Sequence, residues 1–184
     1  PRWSPAGTQS AFVHNVPDGA MLEVMSFDGS GRRTVYGPVV GVTTRAELSD
    51  VRWSADGCTL YVIASRGPSF DHRVHGEPLC GGDATDGGLA HYLDLSKSGT
   101  WAVAWSQSAS GPRTDVGPLE APVVTIEDYG SVAWSPDENR LAVRSEGIVR
   151  IYDRSGKLTA SYPIDNDPNV AYQFGLDWSD DGQR

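Results

Sequence analysis

The sequence predicts an all-β chain built from repeated four-stranded antiparallel units, and three observations carry that expectation. A Trp-Ser opening followed by turn residues recurs as Trp3-Ser4-Pro5-Ala6-Gly7, Trp53-Ser54-Ala55-Asp56-Gly57, Trp134-Ser135-Pro136-Asp137-Glu138 and Trp178-Ser179-Asp180-Asp181-Gly182. Short β-branched and aromatic runs surround these openings, as half-buried strands require. The 184 residues include 21 glycines and 12 prolines and show no long helical period, which favours many short strands joined by turns. Four strands per unit at a period near 44 residues is the signature of a β-propeller blade.

Each element follows from local chemistry. In the second copy, Val51-Arg52-Trp53 and Thr59 to Ile63 are strand formers on either side of Ala55-Asp56-Gly57, which makes a hairpin. Gly57 supplies the positive φ of the tight connection, while Asp56 and Ser54 offer oxygens to nearby backbone N–H groups. A second marker, an apolar strand ending in aspartate before a turn, occurs at Val24 to Gly29, at Tyr92 to Ser96 and at Arg150 to Gly156. Asp28 to Trp53 and Asp153 to Trp178 are both 25 residues apart, so two units keep one register. The unit opening at Ser131 reads as four strands, Ser131 to Trp134, Arg140 to Arg144, Ile148 to Tyr152 and Leu158 to Tyr162. Its tryptophan buries a large aromatic area between neighbouring sheets.

The motif tryptophans are 50, 81 and 44 residues apart, and the wide middle gap allows two readings. In the preferred one, Leu89 to Leu93 and Thr100 to Trp105 are the third and fourth strands of the second blade, with insertions over about 66–87 and 107–130. In the other, Leu95 to Thr100 is a worn copy of the opening motif. Blade starts are thus expected near residues 1, 50, 131 and 175, with a degenerate start near 91. Three to four blades of six or more are expected, in one partial propeller domain over 1–184. The chain begins and stops inside copies of the pattern, which reads as a piece of a longer repeat protein.

Composition narrows the function. A net charge of −9 argues against nucleic acid as a partner, because phosphate binding needs a basic face. No run approaches the roughly 20 apolar residues of a membrane-spanning helix. The opening Pro1-Arg2-Trp3-Ser4-Pro5 carries neither part of a signal peptide.

The runs "PRWSPAGTQSAFV", "LEVMSFDGSGRR", "VAWSPDENRLAV" and "VRIYDRSG" resemble the repeats of TolB-like β-propellers, in which W-S-P-D-G opens a blade. Ala6 replaces the usual aspartate, Ala55 the proline and Glu138 the glycine. The resemblance implies a propeller whose motif residues, Trp3, Ser4, Trp53, Ser54, Asp56, Gly57, Trp134, Ser135, Asp137, Trp178 and Ser179, build blades and are not a ligand site. It further implies an exported, non-catalytic scaffold, periplasmic or extracellular, that binds a protein partner or small ligand. Two alternatives stand beside it: a propeller that gates access to a prolyl-oligopeptidase-type serine peptidase, and a propeller enzyme acting on carbohydrate in its channel.

Meander geometry puts the motif hairpins and the Asp-Gly turns at one end of each sheet and the remaining connections at the other. Long loops on a rigid scaffold are where binding usually resides. Arg66, Phe70, Asp71, His72, Arg73, His75, Asp165, Asp167 and Tyr172 are the candidate binding residues of that loop face. His72, His75, Cys80 and His91 supply zinc-type ligands without a zinc-type spacing. Asp165-Asn166-Asp167 lacks the glycine and distal glutamate of a calcium loop. No metal or cofactor is expected, and no nucleophile or acid–base pair is assigned, since no catalytic motif occurs. Cys58 and Cys80, the only cysteines, are expected to form a disulfide in an oxidising compartment.

Overall fold

The computed structural model of the chain describes residues 1–17, 19–39, 47–66, 71–90, 92–99, 101–108, 111–118, 124–145, 147–164 and 176–183. Among them every regular element is a β-strand, and the strands sort into four antiparallel sheets in chain order. The first holds β1 (Arg2–Trp3), β2 (Gln9–Val16), β3 (Gly19–Ser26) and β4 (Arg33–Val39). The second holds β5 (Glu47–Trp53), β6 (Thr59–Arg66), β7 (Asp71–Pro78) and β8 (Thr85–Leu89). The third is β9 (Tyr92–Leu95), β10 (Ala102–Ser108), β11 (Gly111–Gly117) and β12 (Val124–Ile126). The fourth is β13 (Ser131–Trp134), β14 (Arg140–Ser145), β15 (Ile148–Asp153) and β16 (Leu158–Pro163). Each sheet is a four-stranded meander, the blade of a β-propeller.

The middle of the chain departs from the preferred reading of the sequence. Residues 71–89 are not an insertion but the outer two strands of the second sheet, and Tyr92–Leu95 opens a third sheet that runs to Ile126. Asp94 therefore lies in a first strand, not at the end of a third one. The reason is the Ser96 turn. Ser96 N–H donates to Trp101 O at 2.8 Å, Gly99 N–H to Ser96 O at 2.8 Å, and Trp101 N–H to Ser96 Oγ at 3.2 Å. The same three bonds close the turns at Ser4, Ser54 and Ser135. A serine hydroxyl and a left-handed residue three positions on are enough to build this turn. The preceding tryptophan is not needed, and Leu95 replaces it here.

The chain forms two compact units, Pro1–Leu93 and Asp94–Arg184. In the first, Ala11, Leu22, Val24, Leu60 and Val62 are buried between the first two sheets together with Trp53. Each fully buried Leu or Val contributes roughly 1.5–3 kcal/mol. Trp53 Nε1 donates to the Arg2 carbonyl at 3.0 Å, so the aromatic both fills the seam and caps the neighbouring first strand. In the second unit, Leu141, Val143, Val103 and Val116 are buried, and the tryptophan device recurs as Trp178 Nε1 donating to Ala133 O at 2.9 Å. The Arg140 guanidinium lies 4.7 Å from the Trp178 ring centre. Trp178 is held by the fourth sheet, whereas Trp3 is 58% exposed. Trp134 sits opposite the worn turn, and its Nε1 is buried with no hydrogen-bond partner among the described residues.

Candidate functional site

Successive motif turns abut within each unit. A Cβ on Gly57 would lie 3.8 Å from Pro5 Cδ, and one on Gly182 would lie 3.5 Å from Pro136 Cδ. Their aspartates are tied down locally. The Asp137 carboxylate accepts from Ser135 Oγ at 2.6 Å and from Asn139 N–H at 3.1 Å, and these bonds lower its pKa to about 2. Asp56 and Asp181 are lowered by the matching serine hydroxyls and N–H groups, and Asp28 and Asp153 by Ser30 and Ser155 in the turns between third and fourth strands. These carboxylates are committed to turn structure, which agrees with their motif role.

Polar chemistry gathers instead along the outer half of the sheet seams. Eight residues after the motif serine, Phe12, Val62 and Val143 pair with Glu23, His75 and Arg150 on the third strand. In the first unit the preceding sheet delivers Tyr36, whose ring stacks on the His75 imidazole at 3.9 Å. His75 Nε2 lies 3.0 Å from Glu77 Oε2, both half-buried, and Arg73 pairs with Asp86 at 3.2 Å two residues along β7. In the second unit the segment entering the fourth sheet delivers Asp128. Its Oδ2 accepts from Arg150 Nη1 and from the Tyr152 hydroxyl, each at 3.1 Å, and its Oδ1 from Tyr129 N–H at 2.9 Å. Burial first, then the Asp128 charge, pushes the Tyr152 phenol up to about 12. Glu23 is engaged within its own sheet by Arg32 at 2.6 Å and by His14 at 3.2 Å.

One of the nine candidate binding residues falls in this seam. Arg73 and His75 are strand residues where the sequence places a loop insertion; His75 stacks on Tyr36 of the first sheet, while Arg73 pairs with Asp86 of its own sheet. Arg66, Asp71 and His72 are placed at the closed end of the β6–β7 hairpin, Arg66 pairing with Asp71 and Ser65 with His72. Phe70, Asp165, Asp167 and Tyr172 lie outside the described residues, as does His91. Cys80 is bonded to Cys58, with the two Cα atoms 5.1 Å apart, so its sulfur is not open to a metal. The seam partners Tyr36, Glu77, Asp128, Arg150 and Tyr152 went unnoticed in the sequence. Counting eight residues on from each motif serine and crossing to the paired strand would have found His75 and Arg150 together.

An open cavity of about 600 Å³ lies along the first strands of the first unit. Ala11, Phe12, Val13, Met25 and Val51 form its apolar wall, and Arg2, Ser49 and Arg52 its polar rim. Away from that cavity, His75 pairs with Glu77 and Arg73 with Asp86 on β7 and β8. Among the described residues no helix is long and apolar enough to cross a membrane.

No protein-family model matches the sequence, and no curated protein does. Solved structures do. TolB from Acinetobacter baumannii superposes with a TM-score of 0.64 at 13% identity, over 88% of this chain and 42% of that one. A protein provisionally assigned as TolB from Agrobacterium tumefaciens gives 0.60 at 16% identity, over 88% and 64%. The β-propeller domain of the Trilobed protease from Pyrococcus furiosus gives 0.55 at 16% identity, over 66% and 44%. The chain thus spans less than two thirds of each of these structures. Identities this low speak to fold alone, and the fold is that of the TolB-like β-propellers.

Proposed function

We propose that this chain belongs to an exported propeller that works as a binding scaffold, receiving a protein partner or small ligand at the loop ends of its blades. The observation that carries this reading is the Cys58–Cys80 disulfide set in a TolB-like fold. Bonds of this kind persist in the periplasm and outside the cell and are rare in the cytosol. The bond ties the start of β6 to the end of the β7 strand, which stiffens the second blade below its loop end. Rigid blades that present variable loops suit recognition.

The test is site-specific photocrosslinking in the native compartment. Probes at the exposed Asn15 and Pro17, on the loop end of the first sheet, are expected to capture one defined partner. Probes at the exposed Ala55, on a motif turn, and the exposed Ser155, on the turn between β15 and β16, are expected to capture none. Adducts from these turn probes alone, or from neither set, would contradict the proposal. The likeness to the Trilobed protease propeller favours a second reading, a domain that limits access to a peptidase site. Peptidase activity in the intact protein that rises when loop-end residues are shortened would select it.

A further inference from the structure

Two departures from the turn motif face each other, and the geometry makes them one device. Ser98 stands where Asp56, Asp137 and Asp181 stand in three other turns and Ala6 in the first, so the third turn, like the first, lacks its own carboxylate. In the three aspartate turns the motif serine donates its hydroxyl to that carboxylate at 2.6 Å. Glu138 stands where Gly7, Gly57, Gly99 and Gly182 stand, and it adopts the same left-handed backbone, with φ at 57°. It is the one non-glycine residue with positive φ among the described residues. A side chain there is strained and needs compensation.

The compensation is visible. Glu138 Oε2 accepts from Ser98 Oγ at 2.7 Å and Oε1 accepts from the Ser98 N–H, while Ser98 Oγ lies 3.3 Å from the Ser96 hydroxyl. The opening serine of the worn turn is therefore linked through Ser98 to a carboxylate that comes from the next sheet. Arg154 holds Glu138 from the other side. Its Nε donates to Glu138 O at 2.6 Å, its Nη2 lies 3.7 Å from Oε2, and its guanidinium sits 4.9 Å from the ring centre of Trp101. Burial opposes the charge on Glu138, but Ser98, Ser96 and Arg154 outweigh it and hold the carboxyl below its usual range.

We infer that Ser98 and Glu138 are a matched pair, a latch in which the fourth blade supplies in trans the carboxylate that the third turn has lost. The left-handed glutamate is kept for that contact. Loss of the carboxylate removes the acceptor of the Ser98 hydroxyl and N–H and leaves the strain, so the third turn opens before the rest of its sheet.

A double-mutant cycle in the intact protein reads this directly, with thermal midpoints and amide exchange at Ser98 as the two measurements. E138A keeps the left-handed strain without the carboxylate and is expected to lower the midpoint by about 4–8 °C, a few degrees for each bond lost. S98D alone puts two carboxylates together and is expected to lower it as well. In the E138G background the same S98D change restores the motif arrangement and is expected to raise the midpoint. E138Q, which keeps the shape, is expected to speed Ser98 amide exchange several-fold without unfolding the protein. If S98D shifts the midpoint in the same direction and to the same extent in both backgrounds, or if E138Q leaves Ser98 exchange unchanged, the pair is not a latch.

Discussion

Replacing Asp128 with alanine removes the carboxylate by which the segment between the third and fourth sheets holds Arg150 and Tyr152, and the cost follows from its contacts. Asp128 loses an Arg150 bond, a Tyr152 bond and a Tyr129 N–H bond, each near 3 Å. Bonds to a charged group contribute about 1.5–3 kcal/mol each, and breaking one side of a buried ion pair costs about 3–5 kcal/mol. The Asp128 side chain is only 7% exposed, but Arg150 is 26% exposed and regains water, which places the expected loss near the lower end. About 3 kcal/mol is expected, or about 6–12 °C in a chain of this length. D128N keeps the shape without the charge and is expected to cost about half as much. Tyrosine ionisation gives an independent reading. The folded pKa of Tyr152 is raised to about 12, so its contribution is complete below pH ~10 and is lost as pH rises through about 12. D128N removes the neighbouring charge and is expected to bring that titration down, though burial keeps it above the ordinary value. Urea unfolding of D128A within about 1 kcal/mol of wild type, or an unchanged tyrosine titration in D128N, would refute the reasoning.

Other outcomes follow from the same geometry. Asp28, Asp56, Asp137, Asp153 and Asp181 all have lowered folded pKa values, so their stabilisation is present above pH ~4 and falls away as acid approaches about 2 for Asp137. Urea midpoints at pH 5 and pH 2.5 are expected to show that loss, and D137N is expected to reduce the difference. Protein matured in its native compartment is expected to show no reactive thiol when denatured without reductant. Reduction should cost about 3 kcal/mol for a bridge spanning 22 residues, and two reactive thiols would remove the support for export. G130A would drive a Cβ into the Arg144 carbonyl oxygen at a φ of 141°, and differential scanning calorimetry is expected to show a loss of about 3 kcal/mol.

The fourth blade was legible almost residue by residue, because its turns carry serine, aspartate and glycine at the ends of alternating apolar strands. The second and third blades were not. β7 reads Asp-His-Arg-Val-His-Gly-Glu-Pro and β8 reads Thr-Asp-Gly-Gly-Leu, sequences that strand propensity rejects. Tertiary context decides there. Gly76 is required where a Cβ would run into Thr85 Oγ1 and lie 2.9 Å from Tyr61 Cε1, and Val74 is fully buried. The third opening was hidden because Leu95 and Ser98 replace the residues that catch the eye, while Ser96 and Gly99, which hold the turn, remain. Of the seam, His75 was singled out for its chemistry but assigned to the wrong context. Asp128 meets Arg150 and Tyr152 across 22 and 24 residues, a pairing made by the folded sheet and not by any local pattern.

The central claim is that residues 47–126 form two blades divided at the Ala90 to Tyr92 connection, with the Ser96 turn opening the third. Residue-resolved hydrogen exchange tests it most directly. Slow exchange is predicted for the paired amides of Arg73 to Gly76, for the Ser96 and Trp101 amides of the worn turn, and for the β10–β11 ladder from Val103 to Asp115. Rapid exchange throughout 71–89, with protection confined to β5, β6 and the strands around Leu93 and Val103, would restore the single-blade reading and contradict the account.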